Sequence, residues 1–330
     1  MDIALRAARH RRRSVRATLI AFFTAVLAFL AAGGALSETP VKVIVPYPPG
    51  GGADVLARVV ADQVGNLHGP TMVVEDRPGA GTIIGTVDVV RATPDGTMLL
   101  FANNSSLLVP HLRKLDYDPL TSLAPICSVA STPTVIIVNS ASPYRKLADL
   151  LDAARKKPGL LTYGAAPGAV SHVSVEMLLH ASGTTMTMVP FQGTPPQVNA
   201  VLGGHVDLAF VDYPAAAELL KAGKLRALAV ASLKRIEWLP DVPTVSESGF
   251  PDFEMELWYG LFAPARTPPQ AVTELQRWLT KFEQVSDLKS RLAGLGMRPD
   301  NICGADFAAF LRKQYDGYGR IIRDANIKAE

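Results

Sequence analysis

The chain has 330 residues, 48% of them apolar, carries a formal net charge of +3 and contains only two cysteines. The positive charge sits at the start: without residues 1–37, six Arg and one Asp leave, and the net charge turns from +3 to −2. No Lys/Arg stripe interleaved with aromatics then remains, which excludes a nucleic-acid footprint, and two distant cysteines exclude metal-type spacing.

Residues 1–37 combine a basic start (Arg6, Arg9, Arg11, Arg12, Arg13, Arg16) with an apolar run from Ala17 to Ala32 and small residues at Ala35 and Ser37. This pattern predicts a secretory signal peptide cleaved after Ser37. The apolar run falls short of the roughly 20 residues of a membrane span, which disfavours an uncleaved anchor. Whether the arginine cluster marks the general or the twin-arginine export route stays open. So does the pairing of Cys127 with Cys303 in an oxidising compartment.

The rest of the chain is long enough to bury a large core and to divide into two lobes. Short Val/Ile/Leu-rich runs alternate with helical patterns: a strand at Val41–Val45 and a helix at Asp54–Val64; Met72–Glu75 and Thr82–Arg91; Met98–Ala102 and then a polar loop. Next come a strand at Pro133–Val138, a helix at Leu147–Lys156, a strand at Leu161–Ala165 and a helix at Val170–Ala181. Met186–Pro190, the helix Thr194–Leu202, the strand Val206–Val211, the helix Ala215–Ala222 and the strand Leu225–Ala231 follow. After a Pro-rich passage, Trp258–Ala263 is strand-like, and helices run through Ala329. Such alternation predicts an α/β architecture with parallel strands and crossover helices. Extended runs at Val135–Asn139 and Gly260–Pro264 are the expected crossings between a first lobe (38–137, completed by 262–330) and a second (138–261). A cleft between the lobes is the expected ligand site, and the crossings the expected hinge.

Reactive motifs are sparse. There is no Gly-x-Ser-x-Gly elbow and no His-Glu-x-x-His, so the common hydrolase and metalloprotease signals are absent. Gly50-Gly51-Gly52 lacks the Gly-Lys-Ser/Thr ending of a Walker loop, and Gly79-Ala-Gly81-Thr-Ile-Ile-Gly85 has one residue too many for a dinucleotide fingerprint. Ser171-His172 opens a helix, and adjacent Ser and His do not make a triad. His68, His111, His180 and His205 show no ligand spacing. Trp258 and Tyr259 read as core more readily than as cleft. What remains is a set of helix starts after strands, at Pro48–Ala53, Ala166–Ser171 and Gln192–Pro195. Their amides suit a small anion, although the first is equally readable as a plain strand-to-helix turn.

Eight segments in order carry a family resemblance: Pro46–Asp54 (PYPPGGGAD), Val74–Gly81 (VEDRPGAG), Ala92–Gly96 (ATPDG), Tyr117–Leu120 (YDPL), Val189–Gly193 (VPFQG), Leu202–Asp207 (LGGHVD), Ala222–Ala229 (AGKLRALA) and Leu239–Thr244 (LPDVPT). With them the chain resembles the solute receptors of tripartite tricarboxylate transporters, the Bug-type extracytoplasmic binding proteins. The resemblance implies a two-lobed type II periplasmic-binding-protein fold, the Venus flytrap, with two hinge crossings. It also implies a periplasmic location, capture of a small carboxylate without catalysis or cofactor, and delivery to the large and small subunits of a membrane transporter. A monomer is the default.

Carried onto this sequence, the resemblance assigns the first-lobe loop to Tyr47, Pro48, Gly50, Gly51, Gly52, Ala53 and Asp54, with Tyr47 as a wall and the amides near Gly51 and Gly52 facing the carboxylate. The opposing helix start is Ala165, Gly168, Ser171 and His172. Asn103, Asn104, Ser105, Gln192, Gly193 and Asp212 complete the expected site, Asp212 either pairing with a ligand amine or capping the turn before Pro214. The chain departs from its relatives in having Ala165, Ala166, Pro167 and Val170 where Ser, Gly, Asn and Thr are common. Fewer hydroxyls lead to the expectation of a less polar acid, aromatic or short-chain, rather than citrate. A sensory receptor and an enzyme on the same cleft are the competing functions; the latter would need an acid or nucleophile that the sequence does not show.

Overall fold

The computed structural model describes residues 40–328. The signal-peptide reading and its cleavage point fall outside these residues. β1 (Val41–Val45) buries every residue but Lys42, and α1 (Gly52–Asn66) buries Ala53, Leu56, Ala57, Val60, Ala61 and Val64 at helical spacing against it. Each fully buried aliphatic side chain of such a face stabilises by about 1.5–3 kcal/mol. β2 (Met72–Asp76), α2 (Ile83–Val90) and β3 (Met98–Asn103) follow, with β1 parallel to both strands.

The expected polar loop after β3 is instead α3 (Ser105–Leu112). Its start is hidden in the run Asn103-Asn104-Ser105-Ser106, where Asn103 satisfies early helix groups: its Oδ1 accepts from the Ser105 amide at 2.9 Å and its carbonyl from Ser106 Oγ at 2.8 Å. β4 (Leu123–Asn139) is longer than the expected strand, because its first half, with Pro125 and a bulged register, lacks a clean period. Then come α4 (Leu147–Lys156), β5 (Thr162–Ala165), α5 (Val170–Ser182), β6 (Thr187–Pro190), α6 (Thr194–Leu202), β7 (Leu208–Asp212), α7 (Tyr213–Lys221) and β8 (Leu225–Val230). β9 (Glu256–Pro264), α8 (Pro269–Glu283), α9 (Leu288–Gly294), β10 (Arg298–Cys303) and α10 (Gly304–Asp324) complete the described chain.

β4 joins two sheets. Residues 123–133 pair antiparallel with β9, which continues through β3 and β1 to β2; residues 134–139 pair with β7 and β8, and β7 continues in parallel through β5 to β6. The change of partner falls at Pro133/Thr134, just before the expected crossing at Val135–Asn139. β9 runs unbroken through 261/262 and pairs only in the first sheet, so the chain has already returned there by Glu256. These two sheets with covering helices are the α/β, two-lobed plan of the flytrap fold.

β10, within a stretch expected to be helical, adds to β4 with Cys303 directly opposite Cys127, and the two are joined by a disulfide spanning 176 residues. In the chain-entropy model a bridge of that span is worth about 5 kcal/mol. No described helix is long and apolar enough to cross a membrane.

Candidate functional site

The carboxyl ends of β1, β3, β5 and β7 open on a cavity of about 260 Å³ between the two sheets. It lies below the roughly 300–1,000 Å³ of drug-sized sites, so it suits a small metabolite. From the first loop, Tyr47, Pro48, Gly51, Gly52 and Ala53 line it, with Asn103 and Ser105 beside them; from the other side come Ser171, Gln192, Gly193 and Asp212. These are the sequence-expected residues that the fold brings together.

The others lie outside that lining. Gly50 is exposed, and its amide donates to Asp54 Oδ2 at 2.8 Å. Asp54 is buried and pairs with Arg58 at 2.6 Å, so it fastens the first turn of α1 rather than facing the cavity. Asn104 donates to the Glu256 carbonyl and to Tyr318 and accepts from the Trp258 amide, stitching β3 to β9 and α10. Ala165 is fully buried on β5, and Gly168 packs near Val109 and Leu112 of α3. The buried His172 accepts from the Gly168 amide at Nδ1, 3.2 Å, which holds the loop before α5. Trp258 is core, whereas Tyr259, the next residue of β9, reaches the cavity.

Polar order in the cavity is built in steps. Tyr47 Oη donates to Asn103 Oδ1 at 2.6 Å and accepts from the Asn103 amide at 3.1 Å; burial pushes this phenol well up. Ser105 Oγ accepts from the Val170 amide at 3.4 Å, so one lobe's hydroxyl meets the first turn of the other lobe's α5. Ser171 Oγ accepts from the Ala166 amide at 3.1 Å and from Gln197 Nε2 at 3.2 Å, both committing the hydroxyl to structure, not nucleophilic attack. The start of α6 is a poorer donor than expected, since Pro195 and Pro196 have no N–H.

The lobes meet through residues without side chains. A Cβ on Gly193, at φ +106°, would lie 2.7 Å from Pro48 Cδ, and one on Gly52 would lie 2.6 Å from both Asp212 Oδ2 and Tyr259 Oη. Asp212 is 5% exposed and occupies the N-cap position of α7 without making a side-chain cap. Burial raises its pKa, offset in part by hydrogen bonds from Thr194 and from the amides of Asp212 and Gly52. The neighbouring Tyr259 is driven far upward by burial and by the Asp212 charge.

Sequence reasoning missed three walls. The turn Pro78–Thr82 lies in the VEDRPGAG segment and holds Ala80 and Thr82 at φ +48° and +87°, a strained conformation of the kind found at functional sites. Arg113, beyond the end of the unexpected α3, is the one Lys or Arg among the described residues lining the cavity. Phe191, Phe210 and Leu257 are apolar walls whose roles emerge only once the sheets are placed. No cluster of potential metal ligands occurs among the described residues.

Helix starts and one Arg line the cavity among the described residues, and comparison supplies the family. The model of the tripartite tricarboxylate transporter family receptor matches residues 56–327. The chain belongs to this family. The receptor is 31% identical to the protein BugT of Bordetella pertussis over 293 residues, 88% of this chain and 90% of BugT. A solved periplasmic transporter superposes with a TM-score of 0.85 at 34% identity, covering 90% of the receptor and all of its own chain. An R. palustris protein solved with adipate gives a TM-score of 0.84 at 29% identity, covering 88% of the receptor and 98% of its own chain. Family and fold make the receptor a periplasmic solute-binding protein, not an enzyme.

Proposed function

We propose that the receptor captures a small carboxylate in the 260 Å³ cavity and delivers it to the large and small subunits of a tripartite membrane transporter. The observation that carries this reading is the convergence of the α1 and α5 starts, Ser105 and Arg113 on one space between two sheets. Amides at a helix start attract an anion through the helix dipole without consuming it. The adipate held by the related R. palustris protein supports the same class of ligand.

Capture closes the lobes, because contacts such as Ser105 to Val170 and Pro48 to Gly193 exist only when the two sides meet. The hinge lies where the strands change partner, at Pro133/Thr134 and before Glu256. Ala166, Pro167, Val170 and Phe191 leave few hydroxyls on the second wall, so the acid is less polar than citrate. The receptor works as an exported monomer, its residues 1–37 removed as a signal peptide.

Gly51→Asp tests the seat. An added Cβ meets only Pro48 O at 3.6 Å and Pro195 Cδ at 3.9 Å, ordinary contact, and the added charge stands where the ligand carboxylate docks. The variant is expected to keep the wild-type melting temperature and lose the calorimetric binding of any acid that the wild type binds. Unchanged binding would reduce the loop to a turn.

A further inference from the structure

Four consecutive residues at the edge of the cavity have left-handed backbone. Gly79, Ala80, Gly81 and Thr82 have φ of +138°, +48°, +66° and +87°, and all four line the cavity. Glycine adopts such angles freely, but Ala80 carries a Cβ and the buried Thr82 a β-branched side chain, for which a positive φ is an outlier. Strain of this kind persists only where the surroundings over-determine it.

Two sets of contacts do so here. The ends of the turn are braced within their own lobe: the Arg77 amide donates to the Val45 carbonyl at 2.8 Å, and the Arg77 guanidinium reaches Glu75 at 2.7 Å and Asp88 of α2 at 2.6 Å. Gly85 packs so closely that a Cβ would stand 2.8 Å from the Arg77 carbonyl oxygen. The tip is braced by the other lobe. A Cβ on Gly81 would stand 3.2 Å from the Pro167 carbonyl oxygen and 3.6 Å from Val109 of α3, so the tip lies between α3 and the loop before α5. The same loop meets α3 again at Gly168, beside Val109 and Leu112. Opening the lobes takes Pro167 away and leaves the ends fixed, so the tip is the part that gains room to relax.

Resting on capture by lobe closure, we propose that Gly79–Thr82 is a spring loaded by that closure: the Pro167 loop presses the tip into its left-handed form, and its relaxation favours the open receptor and release of the solute. The spring sets how long a solute stays, not which solute enters. Relieving the strain at Ala80 or Thr82 therefore favours the closed form, whereas bulk at Gly81 keeps it from forming.

The test needs no ligand. The chain's two cysteines are joined to each other, so nitroxide labels attach only at introduced ones. Asp62→Cys on α1 and Glu218→Cys on α7, both exposed and one in each lobe, report the distance between the lobes by pulsed electron paramagnetic resonance. Relative to this labelled parent, Ala80→Gly and Thr82→Gly are each expected to raise the population at the distance of this structure over longer distances about fivefold, the scale of one left-handed residue. Gly81→Ala is expected to lower it by at least as much. Melting temperatures check that each variant is folded, and the exposed Ala80 decides alone if Thr82→Gly is not. A ratio unchanged in the two glycine variants overturns the inference. If Gly81→Ala still opens the lobes, closure at Pro167 stands without the spring; if it does not, that closing contact falls with the inference.

Discussion

At the scale of single residues, burial rather than chain position decides what a side chain does. Asp54 and Asp212 look alike in sequence, each beside a helix start, yet Asp54 is spent on the Gly50 amide and Arg58 outside the cavity while Asp212 lines it and accepts from Thr194 and the Gly52 amide. Neither outcome was legible beforehand, because both depend on which lobe faces the residue. Tyr47, Gly51 and Gly52 were legible as cavity lining through the family resemblance, since the Pro/Gly loop by itself reads equally as a strand-to-helix turn. Away from the cleft, Glu283 has its carboxyl pushed up to about 8 by burial and by the Asp300 charge. Its folded form therefore holds a proton more tightly than the unfolded chain, so the stability it contributes is greatest below about pH 4.5 and is lost as pH rises through about 8. In melting curves at pH 5.5 and 8.5, Glu283→Gln should lose part of the wild-type fall in melting temperature. Parallel slopes for the two proteins would contradict this assignment.

At the scale of elements, the segments with a clean apolar period were readable and those with mixed signals were not. β1, α4 and α6 lie where the pattern puts them. α3 was hidden because its apolar residues 107–109 follow polar Asn and Ser, and its Pro110 reads as a breaker. β10 was hidden by Pro299 and a bulge, and with it the strand register that settles the open pairing of Cys127 with Cys303. Between elements, glycines set how closely the lobes approach. Gly193 combines φ +106° with a Pro48 ring 2.7 Å from any added Cβ. Gly193→Ala is therefore expected to hold the lobes apart, raising the small-angle scattering radius of the ligand-saturated protein and weakening affinity by about tenfold or more, in line with an overpacking cost of roughly 1–3 kcal/mol. A variant as compact and as tight-binding as wild type would show that the contact is not part of closure.

At the scale of the whole molecule, order of segments carried more information than any one motif. The eight short matches were individually weak, but together they announced the flytrap plan, and the two sheets sharing β4 follow it. The exact places where the chain changes sheet were out of reach, because β4 and β9 each run through a position that sequence alone reads as a boundary. The cavity itself follows from that plan: only a chain that leaves the first sheet and returns can set the start of α1 against Asp212.

The central claim is that this cavity seats a small carboxylate, and a thermal-shift screen of the purified receptor tests it most directly. The panel holds mono-, di- and tricarboxylates, aromatic acids and amino acids, each applied to the wild type and to Gly51→Asp. A ligand at about 100 times its dissociation constant stabilises by about 2.7 kcal/mol, a shift of several degrees for a protein of this size. The account predicts one chemically related group of responders, smaller or less polar than citrate, whose shifts vanish in Gly51→Asp. A strong response to citrate, or shifts that persist undiminished in the variant, would contradict it.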